Sequence, residues 1–315
     1  MPLAPLNEQK RICDKLDVLL PRVDASRKRI NSVRSLFKTF RKALLSAATS
    51  GKLTESWRQQ NQTQTAQPAQ LSNNNKQVAP DLTHWDRELP TGWIIASVSQ
   101  FAECLDSKRI PVKRELRSKL NEAPYPYYGA NGLVDKVDDF IFDDELVLVT
   151  EDETFYGREK PIAYRVSGKC WVNNHAHVLR AGGSERSDYL CYALSYYDVI
   201  PWLTGTTGRA KLTQAVLNSL PIAIPPPNEL EVIVKLVKSI LLQSEAIEEQ
   251  ITAAEEKIDN LPSAILAKAF KGQLVSQDSN DEPAAELLAR IRGATGDVVI
   301  RTKSKSPKKE KALVK

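Results

Sequence analysis

At 315 residues, 42% of them apolar, the chain is long enough for two or three structural units and rich enough in apolar side chains to pack a core, which excludes global disorder. It has no run of about 18 apolar residues, and its opening Met-Pro-Leu-Ala-Pro lacks the basic-then-apolar order of a secretory signal. A cytoplasmic chain with no membrane span is therefore expected, and the scattered Cys13, Cys104, Cys170 and Cys191, with no Cys-x-x-Cys pair, read as reduced thiols and not as a disulfide framework.

The net charge of +5 is unevenly distributed: residues 1–58 carry +8, 82–224 carry −3, 225–275 carry −3 and 276–315 carry +3. A generic electrostatic binder of nucleic acid would concentrate positive charge in its globular part, and this chain does not.

Residues 1–58 form the first helical region. Ile12, Leu16, Leu19, Val23, Ser26, Ile30, Val33, Phe37, Phe40, Leu44 and Ala47 recur at alternating spacings of four and three, the mark of a coiled-coil seam. Asn7 is placed to cap the helix and Gly51 to stop it. A continuous helix over Asn7–Thr49 would span about 64 Å. Pro21 lies inside the pattern and should kink or restart it. The other face is basic, with Arg27, Lys28, Arg29, Arg34, Lys38, Arg41 and Lys42.

Residues 59–81 (Gln-Gln-Asn-Gln-Thr-Gln-Thr…) are nearly devoid of apolar side chains and read as a flexible Gln/Asn-rich linker. Residues 82–224 read as one mixed α/β domain. Strand character falls on Trp93–Val98, Glu145–Thr150, Pro161–Val166 and His177–Leu179, and turns fall at Pro90–Gly92, Gly129–Gly132 and Gly182–Gly183. Helices are expected over Asp188–Leu203 and Thr213–Leu220.

Residues 225–275 repeat the first region at a constant offset of 221. Pro5, Asn7, Glu8, Ile12, Leu20, Ile30, Ala43, Leu45, Ala48, Gly51 and Leu53 recur as Pro226, Asn228, Glu229, Ile233, Leu241, Ile251, Ala264, Leu266, Ala269, Gly272 and Leu274. The second seam runs through Ile233, Val237, Ile240, Ser244, Ile247, Ile251, Ala254, Ile258, Leu261 and Ile265. Asn228 is available as a cap, and Pro262 predicts a long helix followed by a short one. The opposite face is acidic: Glu245, Glu248, Glu249, Glu255, Glu256 and Asp259. Two apolar seams need burial, and unlike flanks attract, so the two helices are expected to pair. The alternatives are that both charged faces are solvated, or that the basic one touches phosphates. After Gly272, Glu282–Arg292 predicts a short amphipathic helix, and Arg301–Lys315 is a basic tail.

The residue types of several enzymes are missing. No Gly-x-x-x-x-Gly-Lys-Ser/Thr phosphate loop occurs. Pro225-Pro226-Pro227-Asn228 has the wrong order for the Asn/Asp-Pro-Pro-Tyr/Phe motif of DNA aminomethyltransferases. The acidic runs Asp143–Glu145 and Glu151–Glu153 read as solvated turns, and His175 and His177 have no Cys or third His beside them. No catalytic residue, no metal and no cofactor are expected.

The openings Pro5-Leu6-Asn7-Glu8-Gln9 and Pro225-Pro226-Pro227-Asn228-Glu229 and the exits Ser50-Gly51-Lys52-Leu53-Thr54-Glu55-Ser56-Trp57-Arg58 and Ala269-Phe270-Lys271-Gly272-Gln273-Leu274 resemble the conserved helical regions of Type I restriction–modification specificity subunits. Leu89-Pro90-Thr91-Gly92-Trp93, Tyr127-Tyr128-Gly129-Ala130-Asn131-Gly132, Asn174–Leu179 and Gly205-x-x-Gly208-Arg209-x-x-Leu212 resemble the motifs of their target-recognition domains. The second opening departs from the pattern, with Leu230 where Gln is usual. The resemblance implies an α+β fold: one mixed α/β target-recognition domain flanked by two long antiparallel coiled-coil-like helices, in a half-length form with a single reader. It implies double-stranded DNA as ligand and methyltransferase (modification) subunits as partners, with restriction subunits joining through them. It also implies a homodimer or pairing with another specificity half. Methyl donor and ATP would belong to the partners.

Reading bases needs side chains that match base edges and donors that fix the backbone. The candidates are Lys108, Arg109, Tyr127, Tyr128, Asn131, Arg158, Lys160, Thr206, Thr207, Arg209 and Lys211. The negative balance of 82–224 keeps a second class open, a coiled-coil adaptor whose central domain binds protein. A third reading is a truncated modulator of an intact specificity subunit.

Overall fold

The computed structural model describes residues 3–61, 77–112, 124–151, 155–203 and 210–295. Two long helices, α1 (Leu6–Thr49) and α6 (Pro227–Phe270), bracket a sheet-containing module. Each has 44 residues, and both start and stop at positions related by the 221-residue offset. The repeat recurs in the first-turn bond and in the bond after the last helical residue. The carbonyls of Pro5 and Pro226 accept the first turn's N–H from Gln9 and Leu230 at 2.9 Å, and Ser50 and Lys271 donate back to Ser46 and Ala267. Prolines, not Asn7 and Asn228, therefore hold the capping positions. The asparagines lie inside the first turn, and Pro227 takes the first helical place, where its missing N–H costs nothing. Gly51 and Gly272 close the helices at φ +75° and +67°. At the second, Gln273 N–H reaches Lys268 and Gly272 N–H reaches Ala269, the paired bonds that satisfy a helix's last carbonyls.

The expected break at Pro262 is absent, and Pro21 likewise sits inside one continuous helix. A proline removes one intrahelical bond, and the many turns on either side keep the helix going. The two long helices belong to two compact units, residues 1–34 with 248–315 and residues 35–247. In the first, Arg27 pairs with Asp259 at 2.9 Å and Arg34 with Glu255 at 2.8 Å, so partner numbers fall as arginine numbers rise: the segments run antiparallel. Helix α7 (Ala284–Thr295) contributes Leu287 to this unit's buried residues.

In the second unit Arg41 faces Glu245, and Leu44, Leu45 and Ala48 join Leu230, Ile233, Val234 and Val237 in the main core of the module. Module strands are β1 (Ile94–Ser97), β2 (Glu103–Cys104), β3 (Tyr125–Gly129), β4 (Gly132–Val137), β5 (Phe142–Thr150), β6 (Ala163–Val172), β7 (Ala176–Arg180) and β8 (Pro221–Ile224). Six form a mixed sheet in the order β2-β7-β5-β6-β3-β4, and β1 pairs antiparallel with β8, joining the two ends of the module. Leu146–Thr150 are all buried, as a central strand covered on both faces requires.

Helix α2 (Glu55–Gln60) follows α1, and α3 (Val98–Phe101) is fixed by a reciprocal cap between Ser97 and Gln100. Helix α4 covers Ser184–Ser195, four residues earlier in start and shorter than expected. Asp198 accepts Ile200 N–H in a local turn and Pro201 follows, which favours the separate short turn Ile200–Trp202 over further helix. Helix α5 (Gln214–Ser219) is capped by Thr213. Residues 77–81, read as linker from composition, are bonded to the module: Ser97 donates to Val78 and Asp81 to Ser219. At its other end Gln59 and Gln60 lie on α2; residues 62–76 and the basic tail lie outside the described residues.

Among the seam positions Val23, Ile233 and Val237 are buried, and Ile12, Leu16, Leu19, Ile30, Phe37, Ile240, Ile251 and Ile258 are half-buried. Val33, Phe40 and Ile247 are instead 37%, 43% and 47% exposed, a correction to a seam read as uniformly closed. Around the last two the helices leave a groove of about 330 Å³ lined by Leu36, Phe37, Phe40, Ile240, Gln243, Ser244 and Ile247. A heptad sets which face is apolar, not how closely the helices approach there.

One buried charge fastens the module to the start of α6. Glu229 is fully buried, and its Oε1 accepts from Thr54 Oγ1 at 2.6 Å and from Arg58, while its Oε2 accepts from the Trp93 indole N–H at 2.9 Å. Burial, reinforced by the Glu229 charge, pushes the neighbouring Tyr189 phenol well above its ordinary range. Gly51 is required here: a Cβ would collide with the Pro90 ring and lie 3.2 Å from Trp93.

Candidate nucleic-acid interface

Two motif segments of the module, 127–132 and 174–179, and Leu212 at the end of a third meet at one set of loops. The short turn Asp106–Lys108 after β2 buries Asp106 and exposes Lys108. Asp106 Oδ1 accepts Val178 N–H at 2.8 Å, and its Oδ2 faces His177 Nδ1 at 2.5 Å and Arg109 at 3.2 Å. His177 is 1% exposed, and its Nε2 lies 2.6 Å from the Leu212 carbonyl. Each ring nitrogen faces an oxygen, the Asp106 carboxylate on one side and the Leu212 carbonyl on the other. Burial alone would raise the Asp106 carboxyl, but the His177 bond and charge, Val178 N–H and Arg109 outweigh it and hold the group below the ordinary carboxylate value.

Arg109 links this knot to the end of β5. It donates to Glu151 at 2.7 Å and to the Ala176 carbonyl at 2.9 Å. Glu151 in turn takes Leu212 N–H on its carbonyl and donates to His175. Thr150 Oγ1 donates to Ala130 at 2.8 Å, Asn173 N–H to Tyr128, and Tyr164 to Gly129. Gly129 leaves room for Asn173: a Cβ there would come within 2.7 Å of Asn173 Nδ2 and push that side chain aside. Finally Arg158 donates to Asn131 Oδ1 at 2.7 Å and to the carbonyls of Lys160 and Pro161. The stretches 106–109, 129–131, 150–151, 173–177 and 210–212 are thus stitched together from below, leaving Lys108, Asn131, Lys160, Asn174, His175 and Lys211 exposed.

This geometry sorts the sequence candidates. Lys108, Asn131, Lys160 and Lys211 are exposed on these loops and Arg158 is half-buried beside them. Arg109, with only 14% of its side chain exposed, is committed to the knot. Tyr127 is 1% exposed and takes Val112 N–H on its hydroxyl, which makes it a core residue. Tyr128 is half-buried and its ring packs 6.2 Å from that of Tyr164. Thr206, Thr207 and Arg209 lie outside the described residues. The acidic run Asp143–Glu145 is no turn: it lies on β5, with Asp144 paired to Arg180 and Glu145 to Arg165. Asp152 and Glu153 are not among the described residues.

His177 does have carboxylate neighbours, which spacing along the chain did not reveal: donor atoms of Asp106, Glu151 and His177 lie within 4.8 Å of one another. Their chemistry does not suit a metal. Each His177 nitrogen already faces an oxygen, and the Arg109 guanidinium sits on both carboxylates as the resident cation.

A profile of the Type I restriction modification DNA specificity domain matches residues 90–256. The chain belongs to that family. It is 26% identical over 308 residues to the Type I restriction enzyme EcoDI specificity subunit of Escherichia coli, covering 91% of this chain and 66% of that one. It is also 26% identical over 313 residues to the EcoKI specificity subunit of Escherichia coli strain K12, covering 93% and 63%. The chain therefore spans just under two thirds of the length of these specificity subunits. In fold it is similar to a chain from the structure describing complex assembly and conformational transition of the type I R-M system, with a TM-score of 0.54 at 19% identity, over 87% of this chain and 62% of that one.

Proposed function

We propose that this chain is a DNA sequence-specificity subunit of a Type I restriction–modification complex, reading one half of a bipartite double-stranded target. The observation that carries the reading is the convergence of separate motif segments onto one rim, where a buried charge knot holds backbone and leaves lysines and amides outward. Lys108, Lys160 and Lys211 suit phosphates, and Asn131, Asn174 and Arg158 have the donors and acceptors that match base edges. Thr206, Thr207 and Arg209 complete the expected set.

In this reading the paired helices act as spacer and as the docking rail for methyltransferase subunits, through which restriction subunits join. The chain itself is non-catalytic, cytoplasmic and free of cofactor, and pairs with a second specificity half, a copy of itself or another, to complete the target. Mapping methylated bases in a host that carries this chain and its modification partners tests the proposal. An interrupted motif, one arm of which changes when residues 82–224 are exchanged, is the expected outcome. A contiguous motif indifferent to that exchange would refute it.

A further inference from the structure

The hairpin β3–β4 lies at one edge of the six-stranded sheet and ends in the turn Gly129-Ala130-Asn131-Gly132, with Gly129 paired to Gly132. On its outer strand Leu133 and Val134 are 61% and 56% exposed, the two most exposed large apolar side chains among the described residues of the module. In a regular strand neighbouring side chains take opposite faces. Here the pairing jumps from Tyr128–Leu133 to Tyr127–Asp135, so Val134 is the extra residue of a β-bulge, a device that re-aims side chains. Its Cγ2 would stand 2.9 Å from a Cβ on Gly129, so Val134 rests over that glycine and supports the tip.

The tip is held still. Asn173 N–H donates to Tyr128, the Tyr164 hydroxyl to Gly129 and Thr150 Oγ1 to Ala130, so three successive carbonyls are tied. Arg158 donates to Asn131 Oδ1, which fixes the way the exposed Asn131 amide faces. Two adjacent aliphatic side chains are too little for a stable protein partner, whose interface needs about 800 Å² on each side. They do match what a base edge offers. A two-stranded ribbon fits the major groove, where thymine presents a 5-methyl group among the hydrogen-bonding atoms of the bases. Within three residues the tip carries both kinds of contact, the Asn131 amide and the Leu133 side chain. Exposed Lys160, whose carbonyl Arg158 also holds, stands beside it for the phosphates.

We propose that the β3–β4 hairpin enters the major groove and that Leu133 is a specificity-determining residue, reading one thymine of the target through its 5-methyl group. Arg158 acts as a positioning residue, presenting Asn131 to the neighbouring base edge, and Val134 buttresses the tip from behind. The inference rests on the DNA-reading function above and adds to it the chemical group that is read.

The test uses the chain assembled with its methyltransferase partners and the duplex that this complex selects from a random pool. Thymines of that duplex are replaced one at a time by uracil, which keeps the base pair and removes only the methyl group. One replacement should weaken binding about fourfold, the change expected for one buried methyl group. Leu133→Ala should weaken binding to the thymine duplex at least as much and abolish its advantage over that uracil duplex. The thermal midpoint of the chain should stay unchanged, because Leu133 is mostly exposed. A selected target without thymine, uracil replacements that are all neutral, or a uracil penalty that persists in Leu133→Ala would each refute the methyl contact while leaving sequence selection intact. Failure to select any sequence would overturn the underlying reading and this inference with it. Loss of methyltransferase assembly in Leu133→Ala without DNA would assign the tip to a protein contact and refute the proposal.

Discussion

Charged pairs occur in two settings in this molecule, and the contrast between them separates what fixes geometry from what decorates it. On the long helices Arg27–Asp259 and Arg34–Glu255 are surface pairs, with each arginine side chain at least 39% exposed. In the module, Glu229 with Arg58 and Trp93, and Asp106 with His177 and Arg109, are closed off from water. The exposed pairs are weak because water competes for both ions, so they follow the antiparallel sense of two segments that apolar residues hold together and do not create it. The buried sets are made of few residues, but each leaves a stranded charge if one member is lost. Precision in this protein is therefore invested where backbone has to be held still, beneath the candidate rim and at the junction of module and α6.

The sharpest way to break the comparison is Arg58→Ala. It leaves the fully buried Glu229 without its cation and should cost about 3–5 kcal/mol in denaturant unfolding of the module. Asp106→Asn should follow at about 2–4 kcal/mol, since His177 loses its carboxylate partner and Arg109 keeps only Glu151. It also predicts a pH effect. The Asp106 carboxyl is held below its ordinary 3.8 in the folded protein, so its stabilisation is complete above about pH 4 and is lost as pH falls through the lower folded value. The Asn variant should be flatter with pH in that window, as acid titration followed by circular dichroism would show.

Ile233→Ala, at a fully buried seam position, should cost about 2–4 kcal/mol, whereas Ile247→Ala at the open groove should cost under about 1 kcal/mol by the same unfolding assay. Smallest is Arg34→Ala, expected to change stability by no more than about 0.5 kcal/mol and to lose even that in high salt. A large effect there would erase the distinction between the two settings.

Periodicity and repetition carried most of the fold. The seam and the stop glycine place α1 to within a residue of Leu6–Thr49, and the offset between copies places a matching helical region over 225–275, where α6 runs Pro227–Phe270. The continuity of α6 through Pro262 was not legible, because the local cost of a proline is outweighed by the length of helix around it. Strands β3, β4 and β8 escaped notice because Tyr125–Gly129 and Pro221–Ile224 contain prolines and Gly132–Val137 shows no clean alternation. At the rim, the motif segments were visible as resemblances, but their common footing was not. Asp106, Arg109, Glu151, His177 and Leu212 are drawn from distant stretches, and no spacing along the chain announces that one aspartate joins them.

The central claim is that this rim selects DNA, and the most direct measurement is enrichment of duplexes from a random pool by the chain assembled with its methyltransferase partners. The account predicts recovery of a defined sequence. It further predicts that replacing Lys108, Lys160 and Lys211 by alanine weakens binding across sequences and lowers the salt dependence by roughly one unit per lysine lost, with the unfolding midpoint unchanged. A pool that emerges without sequence preference, or binding that ignores the three lysines, would contradict it.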